Sequence, residues 1–420
     1  MEQQTKNREW KTVRLDSIFD IQQGKQVSES NRVGANQRPF LRTANVFWGK
    51  LSLKNLDHMN FTEAEETRYA LRDGDILVCE GGDVGRSTIW HNEIENCYHQ
   101  NHLHRLRKIN NNTDENFVLR WLQYQIVDNK ILTGRANSTT IPNLSKSRLS
   151  ELEITLPGVS EQKAISNVLT TTQGAIAGQE ELIEKLKKLK KTMMQHLFTH
   201  GTKNEPTKMS EIGEIPESWK VLPLKDLVPD IDYGVSQAIP KTSPENGYKI
   251  VSTADITKEG RLLYNQLRYI AVTDNQSEKL RLKNGDVLFN WRNSLDHIGK
   301  SAIYDHFDEH VIFASFVLRL RCDEKKAHNR FVRDLMNYYR ENEVFSRLAR
   351  RAVNQANYNR NEIYVLKIPA PSYNEQVEIA KAVQGVDHKI ESAQIKLFAY
   401  QKLFKTLLHE LMGGKRYIKE

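Results

Sequence analysis

Cysteine is scarce: Cys79, Cys97 and Cys322 are the only three in 420 residues. That supply gives no disulfide framework, and no Cys-x-x-Cys pair is present to start a zinc site. Long apolar runs are missing as well. No stretch reaches the roughly 18 consecutive apolar residues that a membrane span needs, and the opening MEQQTKNREWK lacks the apolar stretch of a secretory signal. The expected compartment is therefore a reducing cytoplasm. Catalytic signatures are absent too. An amino-group methyltransferase needs an Asn/Asp-Pro-Pro-aromatic tetrapeptide, and Pro369-Ala370-Pro371 is not one. No glycine-rich cofactor turn follows an apolar strand.

What is present is an ordinary globular composition, 39% apolar and 27% charged, in a chain long enough for two or three domains. The formal charge is +8, divided as +4 in each half of the sequence. Such an even basic excess fits a polyanionic partner without requiring one.

The chain repeats itself. EWKTVRLDSI at 9–18 aligns with SWKVLPLKDL at 218–227, LRTANV at 41–46 with VSTADI at 251–256, and LRDGDILV at 71–78 with LKNGDVLF at 282–289. Further on, RLR at 105–107 matches 319–321, and LPGVSEQKAI at 156–165 matches APSYNEQVEI at 370–379. The offset drifts from 209 to 214, as small loop insertions in a duplicated domain would produce.

Each repeat has two parts. The first mixes β-rich runs with turn signals such as Arg-Asp-Gly-Asp and Lys-Asn-Gly-Asp, then helices near 115–128 and 329–350. The second is one long helix. Val383, Ile390, Leu397, Phe404 and Leu411 recur every seven residues, with Val386, Ala393, Tyr400 and Leu407 in the offset seam. Leu169, Ile176, Ile183 and Leu197 form the counterpart, interrupted by Lys190, with Leu186 and Met193 beside them. Heptads of this kind predict a coiled coil. Ser160 and Asn374 are the expected N-caps, and Gly201 and Gly413-Gly414 the stops. The fold class is α+β: two homologous target-recognition domains at 1–158 and 201–372, with long helices at 159–200 and 373–414. Paired antiparallel, about 38 residues per helix would make a spacer of roughly 55 Å.

Three features tempt other readings. IGKSAI at 298–303 ends like a phosphate-binding loop, but Ser294 stands where the first glycine is required, and the aligned copy reads GRST at 85–88. A duplicated loop explains both. His99, His102 and His104 suggest a metal, yet His102 and His104 align with Phe316 and Leu318, so a role in the core or a cleft of one strand face is expected. Asp230 and Asp323-Glu324-Lys325 read as surface charges, and the lysines at 185–191 as the exposed face of the coil.

The module order and the LPGVSEQKAI and APSYNEQVEI junctions resemble the specificity (S) subunits of type I restriction-modification systems. The SWK-x-x-x-L-x-D start at 218–226, the GD-[IV]-L strand and the polar stretches NSTTIPNLSK (137–146) and NQANYNRNEI (354–363) carry the same resemblance. It covers essentially the whole chain, with modest departures at Arg14, Ser17 and Lys190. The resemblance implies a non-catalytic subunit that recognises a bipartite, asymmetric site in double-stranded DNA. Two methyltransferase (modification) subunits and translocase-nuclease (restriction) subunits would be its partners. No cofactor would be its own; S-adenosylmethionine, ATP and Mg would serve those partners. A coiled-coil protein–protein scaffold without DNA specificity is the alternative, and a stand-alone enzyme finds no supporting motif.

Readout of DNA needs cations for phosphates, and amides, hydroxyls or guanidiniums for base edges. Two loops per repeat offer them. After the GD-[IV]-L strand come Arg86 and Ser87 in one copy, and Trp291, Arg292, Asn293 and Lys300 in the other. Before the long helices come Arg135, Asn137, Ser138, Thr139, Asn143, Lys146 and Arg148, then Arg350, Arg351, Asn354, Gln355, Asn357, Asn359 and Arg360. Gln22, Gln23 and Lys25, with Tyr233 and Gln237 in the second copy, are weaker candidates.

Overall fold

The computed structural model describes residues 10–132, 143–242, 244, 246–305, 309–348, 350–352, 355–416 and 418. The chain divides into two units, Met1–Glu180 with Ile395–Glu420, and Glu181–Gln394.

In the first unit a four-stranded antiparallel sheet runs in the order Phe19–Gln23, Leu103–Lys108, Ile76–Cys79, Ser87–Ile89. Ile76, Leu77, Val78 and Cys79 are all buried, so this apolar run serves both faces of the sheet instead of alternating. A second sheet sets Gln37–Leu41 between Asp57–Asn60, antiparallel, and Tyr98–His99, parallel. Lys11–Arg14 pairs with Glu153–Leu156 and so ties the start of the domain to its end. The helix Glu115–Gln123 starts where Asp114 Oδ1 accepts from the Phe117 amide at 2.8 Å, and it buries Phe117, Val118, Trp121 and Leu122. The expected helix to residue 128 continues as a π-helical turn, Tyr124–Asp128.

The second unit repeats this plan. Its central sheet has the order Asp230–Tyr233, Val317–Arg321, Val287–Asn290, Ser301–Ile303. Lys220–Pro223 pairs with Lys367–Ala370, and Tyr248–Val251 lies between Arg268–Ile270 and Val311–Phe313. The region expected as one helix over 329–350 is two, Asn329–Glu341 and Val344–Leu348, separated by Glu343 in the left-handed conformation at φ 60°.

The repeated Gly-Asp turns have one mechanism. Gly74 and Gly285 adopt φ of +83° and +90°, which glycine tolerates without steric cost. The following aspartates close the turns on the Arg72 and Lys283 amides at 2.7 and 2.8 Å. Each carboxylate then receives a two-pronged arginine from the neighbouring strand, Arg107 on Asp75 at 2.8 and 2.6 Å, Arg321 on Asp286 at 2.8 Å twice. Asp230 is no idle surface charge: it accepts from Arg319 at 3.2 Å and from Arg321 at 3.3 Å.

The long helices are Val159–His200 and Tyr373–Met412. The caps differ from expectation. Ser160 and Asn374 already lie inside the helices, and it is Ser372 Oγ that accepts from the Glu375 amide at 3.4 Å. At the first helix the Gln162 amide bonds to the Gly158 carbonyl, so a glycine precedes the first turn. The glutamines of the two Glu-Gln junctions do equivalent work. Gln162 donates to the Pro157 and Asn112 carbonyls and accepts from the Asp114 amide; Gln376 donates to the Pro371 and Lys326 carbonyls and accepts from the His328 amide. Both are 1% exposed.

Within the second unit the helices run antiparallel. Thr202, just past the end of the first, bonds to Glu375 and Glu378, whereas Lys190 meets Asp387 at 2.6 Å. The lysine that breaks the heptad seam thus has an ionic partner on the opposite helix. Within the first unit Leu169 and Ile176 share a core with Phe404, Leu408 and Leu411. Among the described residues no helix is long and apolar enough to cross a membrane.

Candidate nucleic-acid interface

In each unit the two polar loops meet at one end of the central sheet. The Leu144 amide donates to the Glu80 carbonyl at 3.0 Å, and 214 residues later the Tyr358 amide donates to the Trp291 carbonyl at 3.0 Å. The segment that precedes the long helix is therefore fastened to the loop that follows the GD-[IV]-L strand, twice over. In the second unit the junction grows into a small sheet: Arg292–Asn293 pairs with Gln355–Asn357, which pairs with Arg350–Ala352. Backbone pairing thus brings Arg292, Asn293, Arg350, Arg351, Gln355 and Asn357 together from two distant stretches of sequence.

Several expected contact residues are turned to structural work. Ser87 is fully buried, with Oγ on the Gly85 carbonyl, and Ser301 repeats the arrangement on Gly299. Lys300, 6% exposed, donates its ammonium to the Thr253 and Ile256 carbonyls. A buried ammonium must find such acceptors, since desolvation alone would be costly. Arg86, its aligned counterpart, donates to the Thr43 carbonyl at 2.7 Å and to Asp83 at 2.6 Å, and lies over the Phe47 ring at 4.7 Å. Thr43 and Thr253 are themselves equivalent, so the Gly-Lys-Ser and Gly-Arg-Ser loops are held by one repeated strut. That strut, and no nucleotide, accounts for the resemblance to a phosphate-binding loop. Asn359 is also occupied, exchanging hydrogen bonds with Glu362 at 2.8 and 2.9 Å to start the short helix Arg360–Tyr364. Lys25 is buried against Glu65 and the Asn60 carbonyl.

Other candidates do face outward. Arg292 is exposed, with its guanidinium over Phe316 at 4.9 Å. Asn143, Lys146 and Arg148 are exposed around the short helix Lys146–Ser150, which Ser145 caps. Asn293 is half-buried, and its Oδ1 accepts from the Ser294 amide at 2.8 Å. Arg360 donates its backbone amide to the Tyr233 hydroxyl at 2.8 Å and points its side chain toward Asp232 at 3.8 Å. Arg135, Asn137, Ser138, Thr139 and Asn354 lie outside the described residues.

The histidines separate. His99 and His104 are fully buried, and His104 bonds to the Leu144 carbonyl at 2.9 Å. His102 is exposed, so the three do not share one strand face; the chain turns at Asn101-His102 before the strand begins at Leu103. Among the described residues no group of three or more His, Cys, Asp or Glu is placed to hold a metal. Glu80 and Phe316, neither of them among the sequence candidates, also flank this corner. The alignment of His102 with Phe316 was the available signal, but strand-end adjacency is not written in a linear sequence.

The family described as type I restriction modification DNA specificity domain matches this chain twice, over residues 7–188 and 216–397. The chain belongs to that family. Two similar curated proteins come from Methanocaldococcus jannaschii. The putative type I restriction enzyme MjaX specificity subunit is 32% identical over 210 residues, covering 50% of this chain and 49% of that protein. The type I restriction enzyme MjaVIII specificity subunit is 30% identical over 294 residues, covering 69% of this chain and 68% of its own length. The match to MjaX thus spans about half of that relative. Among solved structures, the type I restriction-modification S subunit from M. genitalium superposes with a TM-score of 0.60 at 16% identity, over 100% of this chain and 99% of that one. At that identity the likeness speaks for the fold.

Proposed function

We propose that this chain is the DNA specificity subunit of a type I restriction-modification complex, with no catalytic site of its own. Each unit reads one half of a bipartite, asymmetric duplex site, and two methyltransferase subunits bind the assembly. Restriction subunits with translocase and nuclease activity join the same complex. S-adenosylmethionine, ATP and Mg belong to those partners, and the reaction directed by this chain is methylation of adenine. The cell compartment is the cytoplasm, where DNA and these partners meet.

The observation that carries this reading is the twice-built corner, where two separate loops are tied backbone to backbone at the end of a rigid sheet. Binding groups placed on scaffold-anchored loops are held in register against a ligand. Two such corners of unlike side-chain chemistry suit two unlike half-sites. The test is to express the chain with its methyltransferase subunit in a host lacking the system and map methylated adenines. Site-specific methylation that requires both proteins is expected. Methyl transfer by this chain alone, or methylation by the partner at the same sites without it, would overturn the proposal.

A further inference from the structure

The two corners share a backbone and differ in what they present. Three strand ends meet there. In the first unit they carry Gln23, Glu80 and His102; at the equivalent positions of the second they carry Tyr233, Trp291 and Phe316. The equivalence is fixed by register: Gln23 pairs with His104 as Tyr233 pairs with Leu318, and Cys79 with Leu103 as Asn290 with Val317. Bridges Lys25–Gln100 and Val235–Ala314 repeat the crossing behind them.

The first cluster is polar. Gln23 Nε2 donates to Glu80 Oε2 at 3.1 Å and to the Asn101 carbonyl at 2.8 Å, which fixes the carboxylate. His102 Nδ1 lies 3.6 Å from the same carboxylate oxygen, and 60% of its side chain is exposed, against 11% for Glu80. The second cluster is aromatic. Trp291 donates from Nε1 to the Ser315 carbonyl at 2.6 Å, and sets its ring edge-on to Tyr233 at 5.2 Å and to Phe316 at 6.2 Å. Phe316 is 44% exposed and carries Arg292 on its face. In both clusters an inner residue held by a backbone-anchored hydrogen bond orients an outer, exposed one.

At several other matched positions the two units keep the same chemistry: the Gly-Asp turns, the Arg-Asp pairs and the Glu-Gln junctions. Loss of that likeness at one exposed, rigidly backed position is what differing half-sites would demand. Resting on the DNA-recognition reading above, we propose that His102 and Phe316 occupy a single base-reading position used twice, with Glu80 and Trp291 as the residues that position them. The imidazole reads a hydrogen-bonding purine edge in one half-site. The phenyl ring meets a thymine methyl in the other, with Arg292 placed for an adjacent guanine, because a phenyl group offers no hydrogen bond and a guanidinium only donates.

The test uses the full chain with its methyltransferase subunit. His102→Phe and Phe316→His are each compared with the parent by methylation mapping and by binding to duplexes varied at each position of the two half-sites. Each substitution should change preference at one base pair of one half-site by about 5- to 150-fold and leave the other half-site untouched. Glu80→Ala should weaken the same base preference as His102→Ala, and the double variant should lose no more than either single one. Both outer residues are exposed, so folding should survive; thermal melting and co-purification with the methyltransferase subunit confirm it. A folded variant that keeps the parental preference at every position would overturn the proposal. So would loss of methyltransferase binding in place of altered preference, which would make Phe316 a subunit contact. Absence of site-specific methylation with the unaltered chain would instead sink the functional reading itself.

Discussion

A β-carbon on Gly24 would sit 2.2 Å from the carbonyl oxygen of His99, so the chain passes there with no room for a side chain. The same crossing recurs in the second unit, where a β-carbon on Gly234 would lie 2.0 Å from the Phe313 oxygen. Both obstacles are backbone atoms fixed by strand pairing, and they cannot swing aside. Gly24→Ala and Gly234→Ala should each destabilise its own unit by about 1–3 kcal/mol, the usual cost of overpacking. Hydrogen–deuterium exchange resolved to peptides of each unit checks this, since the two units need not unfold together. Equal loosening of both units by either substitution would contradict the assignment.

The arginine clamps make a sharper prediction. Asp75 and Asp286 are 1% and 2% exposed, and each receives both prongs of one arginine. Burial of Asp75 is tolerable only while Arg107 compensates its charge. Arg107→Met should therefore cost about 3–5 kcal/mol, the penalty for stranding a buried charge, whereas Asp75→Asn with Arg107→Met should recover part of it. Denaturant midpoints of the single and double variants measure the difference. If the double variant were no more stable than Arg107→Met, the clamp would not be the reason for the cost.

Much of this organisation is legible in the order of the amino acids. The doubled Gly-Asp turn and the Glu-Gln junction stand out because duplication prints each signal twice, and heptad spacing marks the long helices. Polarity alone does not separate a DNA contact from a residue that the fold employs. Ser87, Lys300 and Asn359 have the side chains of a DNA contact, yet each is used by the fold, because buried loops also need hydrogen-bond donors and acceptors. The converse holds at the corner, where the role proposed for Glu80 and Phe316 rests on neighbours far away in sequence. The Ser160 and Asn374 caps failed by a residue or two, the ordinary scale on which helix starts are misplaced.

Acid should weaken the first unit through His99. Burial, reinforced by the nearby Arg105 cation, pushes its imidazole down to about 3, against the pull of the Gln22 and Tyr69 carbonyls. In the unfolded chain the same group titrates near its ordinary value of 6.5. The unfolded state therefore binds the extra proton, so the stabilisation is complete above about pH 6.5 and is lost as pH falls below it. The slope should reach up to about 1.4 kcal/mol per pH unit for this one group. His99→Gln keeps a polar side chain that does not titrate, so its disadvantage relative to the parent should shrink between pH 7.5 and 5. Stability profiles that stay parallel over that range would show that His99 is not the acid-sensitive group.

The last prediction separates phosphate contacts from base contacts. Lys146 and Arg148 are exposed beside the Leu144 segment that is bonded to Glu80. A cation that only neutralises phosphate adds affinity for every sequence and releases a counterion on binding. Lys146→Ala and Arg148→Ala should thus weaken specific and nonspecific duplexes alike. Each should also lower the slope of log affinity against log salt by about 0.9, the value for one neutralised phosphate. Base preference at every half-site position should stay as it was, in contrast to the His102 variants. Titrations of the complex with the methyltransferase subunit at several salt concentrations distinguish the outcomes. An unchanged salt slope would remove these two residues from the interface. A changed base preference would move them from the phosphates to the groove, because a phosphate contact carries no sequence information directly.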